Sequence, residues 1–187
     1  MSETNLNLTS NTTTRTLTIA ADEAMRLGAP MLVATTSGET AVEAMCIARE
    51  KGIAAEQLII ISSVYGSRGP DDNGMKEECK TKLDGASIRI ITAAHVLSGA
   101  ERSMSTKFRG VYPTEIIAHS LRMFSQGTKV VVEISAMALD AGAIRHGALV
   151  VAVGGTGRGA DTAAVLTPAY TQDILSTKIH EILCKPY

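Results

Sequence analysis

The chain alternates between short, nearly uninterrupted apolar runs and longer stretches whose apolar residues recur every three or four positions. "MLVAT" (31–35), "QLIIIS" (57–62), "SIRII" (87–91), "KVVVEIS" (129–135) and "ALVVAV" (148–153) have strand length, and most are rich in Val and Ile. "KIHEILC" (178–184) has the pattern of a last strand. Between these runs the helical period predicts a helix over Thr12–Leu27, with Leu17, Ala20, Ala21, Ala24 and Met25 on one side and Gly28 as a stop. Further helices are predicted over 39–50, ending at Gly52, and over 75–84 and 113–125. Apolar strands separated by helices indicate a mostly parallel sheet covered on both faces. "NLNLT" alternates enough for a short edge strand, and the rest of residues 1–10 is polar and expected to be flexible. No repeat or linker divides 11–187, so one α/β domain is expected there.

Composition narrows the partners. With 187 residues, 45% of them hydrophobic, the chain can bury one good core and is short for two. The net charge of −1 gathers neither nucleic acid nor anionic lipid, and 3% aromatics with no Trp leave few platforms for stacking bases. Cys46, Cys79 and Cys184 are widely separated and no C-x-x-C occurs, which fits a reducing compartment and gives no metal-ligand spacing. "MSETNLNLTSNTTT" lacks the basic and apolar regions of a signal peptide, and no apolar run is long enough to span a bilayer. A cytoplasmic protein is expected. Self-association stays open.

Ligands of parallel sheets bind outside the carboxyl ends of the strands, which directs attention to 35–40, 62–74, 92–112, 135–137 and 154–161. In "ATTSGETAVEAM" (34–45), Thr36-Ser37-Gly38-Glu39 fits a capping box, the Thr36 hydroxyl accepting from the Glu39 amide. The same turn, with exposed helix-start amides, the Ser37 and Thr40 hydroxyls and a glycine allowing close approach, suits an anion. On local pattern alone the cap is favoured. "VAVGGTGRGADTAAV" (151–165) mimics two phosphate motifs. Its G-x-G-x-x-A stands too late in the chain for a first βαβ unit, and Ala160 stands where a P-loop needs lysine. What remains is a flexible glycine loop with one cation, Arg158, able to cover a phosphate or a polar ring.

The stretch 92–115 holds His95, Ser98, Glu101, Arg102, Ser103, Lys107 and Arg109, and a segment of that length is functional or partly helical. A lone His at a strand end is more often structural than catalytic. Glu133 stands in an apolar run, where a carboxylate needs a partner such as Arg158 or Arg102, or a polar ligand at the strand mouth. His119, His146 and His180 are scattered, and neither a nucleophile–base set nor a metal set can be assembled.

Taken together, "VATTSGETA", "HVLSGAERSMSTKFRG", "VEISAMALDAGAI" and "VAVGGTGRGADTAAVLTPA" resemble the small stand-alone proteins related to the pyruvate kinase C-terminal domain, over nearly all of 11–186. "MSETNLNLTS" departs from the apolar first strand and Asn-Lys-Pro-like turn of that family. The resemblance implies a three-layer α/β/α fold and an anion site on Thr35, Thr36, Ser37, Gly38 and Thr40, which reverses the local preference for a plain cap. It further implies flavin mononucleotide (FMN) in the same pocket. The expected contacts extend to Ser62, His95, Ser98, Gly99, Glu133, Met137, Gly154, Gly155, Thr156, Gly157, Arg158, Gly159, Asp161 and Thr162, with Tyr65 or Tyr112 as lids. His95 and Glu133 are the acid/base candidates if the protein is an enzyme acting on a phosphorylated metabolite or a flavin oxidoreductase. A ligand-sensing module is the other reading. A pyruvate kinase active site needs a (β/α)8 barrel of roughly 200 residues, for which this chain has no room.

Overall fold

The computed structural model describes residues 5–6 and 12–187. The expectation of a flexible segment over 1–10 therefore lies outside the described residues, apart from the pair 5–6. Seven strands are described: β1 (Asn5–Leu6), β2 (Met31–Thr35), β3 (Leu58–Ser62), β4 (Arg89–Thr92), β5 (Val150–Gly155), β6 (Ala160–Thr167) and β7 (Lys178–Pro186). The helices among them are α1 (Thr12–Leu27), α2 (Glu39–Lys51), α3 (Glu77–Gly85), α4 (Gly99–Phe108), α5 (Pro113–Arg122) and α6 (Gln126–Asp140), with 3-10 turns at Ala55–Gln57 and Thr171–Ser176. None of the helices is long and apolar enough to cross a membrane. The sheet order is β1-β7-β6-β5-β2-β3-β4. β5, β2, β3 and β4 are mutually parallel, as are β1 and β7, while β6 runs antiparallel to both its neighbours. The sheet is mostly parallel, as the apolar runs indicate.

Side-chain alternation divides the core. Met31, Val33, Leu58, Ile60, Val151, Val153, Ala163 and Val165 meet the buried stripes of α1 (Leu17, Ala20, Ala21, Ala24) and α2 (Ala41, Ala44, Ile47, Ala48). Their strand neighbours Leu32, Ile59, Ile61, Val150, Ala152, Ala164 and Leu166 meet Val131, Ile134, Met137 and Ala138 of α6. β2, β3 and β5 are thus apolar at nearly every position because each side of them is covered. The alanine stripes on α1 and α2 keep those helices close to the sheet.

Two expectations are corrected. "KVVVEIS" (129–135) is not a strand but the middle of α6, buried almost all round from Gly127 to Leu139. Its Val/Ile content mimics a strand, yet the Ser125 hydroxyl accepts the Thr128 amide at 2.8 Å and starts a helix. The loop at 135–137 therefore does not exist. Second, the glycine stretch after β5 is the end of a hairpin: Gly155 pairs with Ala160, and "ADTAAVLT" is strand β6. Ala160 N donates to Thr13 Oγ1 of α1, which ties the hairpin to the first turn of that helix. The stretch 92–112 is partly helical, as its length suggested, and contains α4.

Candidate functional site

β2 is followed in the sheet by β3 on one side and β5 on the other. The chain thus leaves β2 through α2 toward one half of the sheet and enters β5 from α6, which packs on the opposite face. Such a reversal opens a crevice at the carboxyl ends of the two strands. A cavity of about 900 Å³ lies there, lined by Ala34 and Thr35 at the end of β2, Ile61 and Ser62 at the end of β3, and Gly154 and Gly155 at the end of β5.

The turn from β2 into α2 forms one wall. Thr36, Ser37, Glu39, Thr40 and Glu43 line it. The expected capping box does not form. Gly38 is the N-cap, its amide donates to Thr35 Oγ1 at 3.0 Å, and the Glu39 amide reaches Ser37 Oγ at 3.4 Å. With no side chain on the cap residue, first-turn donors such as the Thr40 amide and hydroxyl are left to the cavity. The Glu39 carboxylate is drawn to Lys76 Nζ at 2.6 Å and is 65% exposed. That ion pair and the Ser37 hydroxyl hold its carboxyl below the usual range.

Gly38 itself does not line the cavity. At φ +90° it has a backbone that L side chains rarely adopt, and a Cβ there would lie 2.5 Å from Cys79 Cβ of α3. This corrects the expectation that the glycine clears space for a ligand: it clears space for α3.

The hairpin tip Thr156, Gly157, Arg158 and Gly159 makes the facing wall, with Thr13 of α1 beside it. Gly154 lets α6 come close: a Cβ there would meet the Gly127 carbonyl and Val130 at 2.9 Å. The floor is one stripe of α6, Gln126, Val130, Glu133, Ile134 and Met137, at helical spacing. The 62–74 segment adds Ser63, Arg68, Asp72 and Gly74.

Glu133 is the most constrained group. It is 2% exposed, and its Oε2 accepts from Lys129 Nζ one helical turn away and faces His95 Nδ1 at 3.1 Å, while Oε1 accepts the Leu97 amide at 3.1 Å. Leu97 is buried against Ala118 of α5 and Val132, which fixes the backbone that delivers the amide and His95. The partners are therefore Lys129 and His95, not the expected Arg158 or Arg102. Burial pushes the Glu133 carboxyl up, but the His95 hydrogen bond and the Lys129 charge outweigh it and hold the group below its ordinary value. Burial lowers the Lys129 ammonium, and Glu133 restores only part of that shift.

Of the residues expected at the site, Thr35, Thr36, Ser37, Thr40, Ser62, His95, Glu133, Met137 and 154–159 line the cavity. Ser98 and Gly99 do not, because they open α4, which leads away. Asp161 and Thr162 are buried under the start of α6: Thr162 Oγ1 donates to Asp161 Oδ1 at 2.7 Å and meets Ser125 Oγ at 3.0 Å. Burial raises the Asp161 carboxyl. Tyr65 and Tyr112 are not among the lining residues, so neither stands as a lid. Thr13, Arg68, Asp72 and Gln126 escaped the sequence reading. Arg68 and Asp72 lie in a flagged loop but carry no motif, Thr13 is signalled only as a first-turn residue of the predicted helix over 12–27, and Gln126 falls between the predicted helix over 113–125 and the expected strand over 129–135.

The match to known families agrees with this architecture. The model of the family "Pyruvate kinase, alpha/beta domain" matches residues 14–166, from the first turn of α1 to the end of β6. It spans the β2–α2 turn, the α6 floor and the glycine hairpin, and every lining residue of the cavity except Thr13. The chain belongs to the pyruvate kinase alpha/beta domain family.

Proposed function

We propose that this cavity binds a phosphorylated small molecule and that FMN is its ligand. The observation that carries the reading is the pairing of two walls: an α2 start capped by glycine, with the Ser37 and Thr40 hydroxyls, and a hairpin bearing Arg158. Helix-start amides and a guanidinium are the donors that a phosphate dianion takes. A volume of about 900 Å³ is within the range of small-molecule sites and leaves room for a ring system beyond the phosphate. With no Phe, Tyr or Trp among the described lining residues, the ring would lie against Ile134, Met137 and hairpin backbone. Apolar clusters on both faces of the sheet support a three-layer α/β/α reading, and three unpaired cysteines suit the reducing cytoplasm.

Fluorescence titration of the purified protein with FMN and with riboflavin tests this. FMN should bind at least about tenfold more tightly, because riboflavin lacks the phosphate and its charge-assisted contacts. Inorganic phosphate should compete with FMN. Equal affinity for both flavins would remove the phosphate site, and no binding of either would remove the flavin.

A further inference from the structure

The FMN reading concerns the phosphate end of the ligand; resting on it, we propose that His95 selects the other end, its Nε2 accepting a hydrogen bond from a ring N–H of the ligand. The site then takes extended phosphomonoesters that carry such a donor, as the flavin imide does.

The inference begins at Glu133. Two of its three partners, the Leu97 amide and the Lys129 ammonium, can only donate. An ionised carboxylate can only accept, so His95 Nδ1, the third partner, must be the donor. In the neutral ring the proton then resides on Nδ1 and the lone pair on Nε2. Carboxylates hydrogen-bonded behind metal-bound histidines fix their tautomers in the same way. Because Nδ1 is turned to the carboxylate, the opposite ring edge is what remains for the cavity that His95 lines. The neutral ring offers the cavity an acceptor, set between hydroxyl, amide and guanidinium donors on the other walls.

The fold also sets the length of the ligand. The anion turn follows β2, and His95 follows β4, two strands along in the sheet. At the spacing of adjacent strands this is about 10 Å. A compact phosphate ester does not reach both, whereas a molecule with a phosphate at one end and a ring N–H at the other does.

Two measurements test this together. In the protein without added ligand, nitrogen NMR of the neutral His95 ring should place the proton on Nδ1; a proton on Nε2 overturns the inference whatever the protein binds. In titrations, FMN should bind roughly tenfold more tightly than 3-methyl-FMN, whose imide nitrogen has no hydrogen. His95→Leu should abolish that ratio, and His95→Gln, whose amide oxygen can accept, should restore part of it. A ratio near one in the wild-type protein, or a ratio that survives His95→Leu, overturns the role of His95 and leaves FMN binding standing. Failure of both flavins to bind overturns the FMN reading and the inference with it.

Discussion

Two carboxylate–lysine pairs bound the cavity, and their surroundings differ completely. Glu39 and Lys76 meet at the rim with side chains 65% and 49% exposed. Glu133 and Lys129 meet in the floor with side chains 2% and 5% exposed. Water solvates the rim pair whether or not it forms, so the contact adds little to stability and yields to salt. The floor pair has no such alternative. Each charge has left water, and among the described residues each is compensated by its partner, with His95 and the Leu97 amide added on the Glu133 side. The rim pair is positioned to adjust the field at the start of α2, where the proposed phosphate would sit, and the floor pair to fix the geometry of His95.

The largest effect is expected from breaking the floor pair. Glu133→Gln leaves the Lys129 ammonium buried without a counter-charge, and the loss should be about 3–5 kcal/mol in urea melts at pH 7. Lys129→Met in the same background should recover much of it, since an apolar side chain of similar length replaces the orphaned charge. The pH dependence follows in sign. The folded Glu133 carboxyl lies below its ordinary value, so its contribution is fully present above the unfolded carboxylate range, near pH 4.3. That contribution should fade as pH falls through the folded value. Acid unfolding of Glu133→Gln should therefore be less steep than that of the wild type. Equal melts for the two proteins would mean that the floor pair is as solvated as the rim pair.

The same two regions differ in how far the sequence disclosed them. The β2–α2 turn is six consecutive residues, 35–40, from the end of an apolar strand to the start of a helix, so hydroxyls, glycine and helix start could be read together. The floor depends on the type of element around Glu133. In a strand, positions 129 and 133 share a face but stand about 13 Å apart; in a helix they are neighbours. The Val-rich run argued for the strand, and tertiary burial against β5 and β6 overrode that propensity. Ser125 as a helix cap was the available contrary signal. Strand β6 was hidden for the opposite reason. "ADTAAVLT" has few residues of strand type, because Ala163 and Ala164 must fit beneath helices on opposite faces of the sheet.

A smaller effect separates the two sides of the β2–α2 turn. Gly38→Val places a β-branched residue at φ +90° with its Cβ against Cys79. Strain and overpacking together should lower stability by about 3 kcal/mol in thermal melts. Because the missing Cβ faces α3, the loss should be present without ligand and change little when FMN is added. A variant that melts like the wild type but no longer binds FMN would put Gly38 on the ligand side instead.

The smallest effect belongs to the rim pair, and it should appear in binding rather than in folding. Lys76→Met removes the cation that draws the Glu39 carboxylate outward, at a site solvated in either state. Melting should not change measurably. The freed carboxylate, still tethered to Ser37 Oγ at 3.0 Å, then stands uncompensated beside the first turn of α2. A negative charge there opposes a second one arriving as phosphate, so FMN affinity at low ionic strength should fall about threefold. Screening should erase the difference near 1 M salt, where the Debye length is about 3 Å. Riboflavin, which brings no phosphate, should bind wild type and Lys76→Met alike. A weakening that persists at high salt, or that riboflavin shares, would show that Lys76 acts through the packing of α3 against the turn and not through charge.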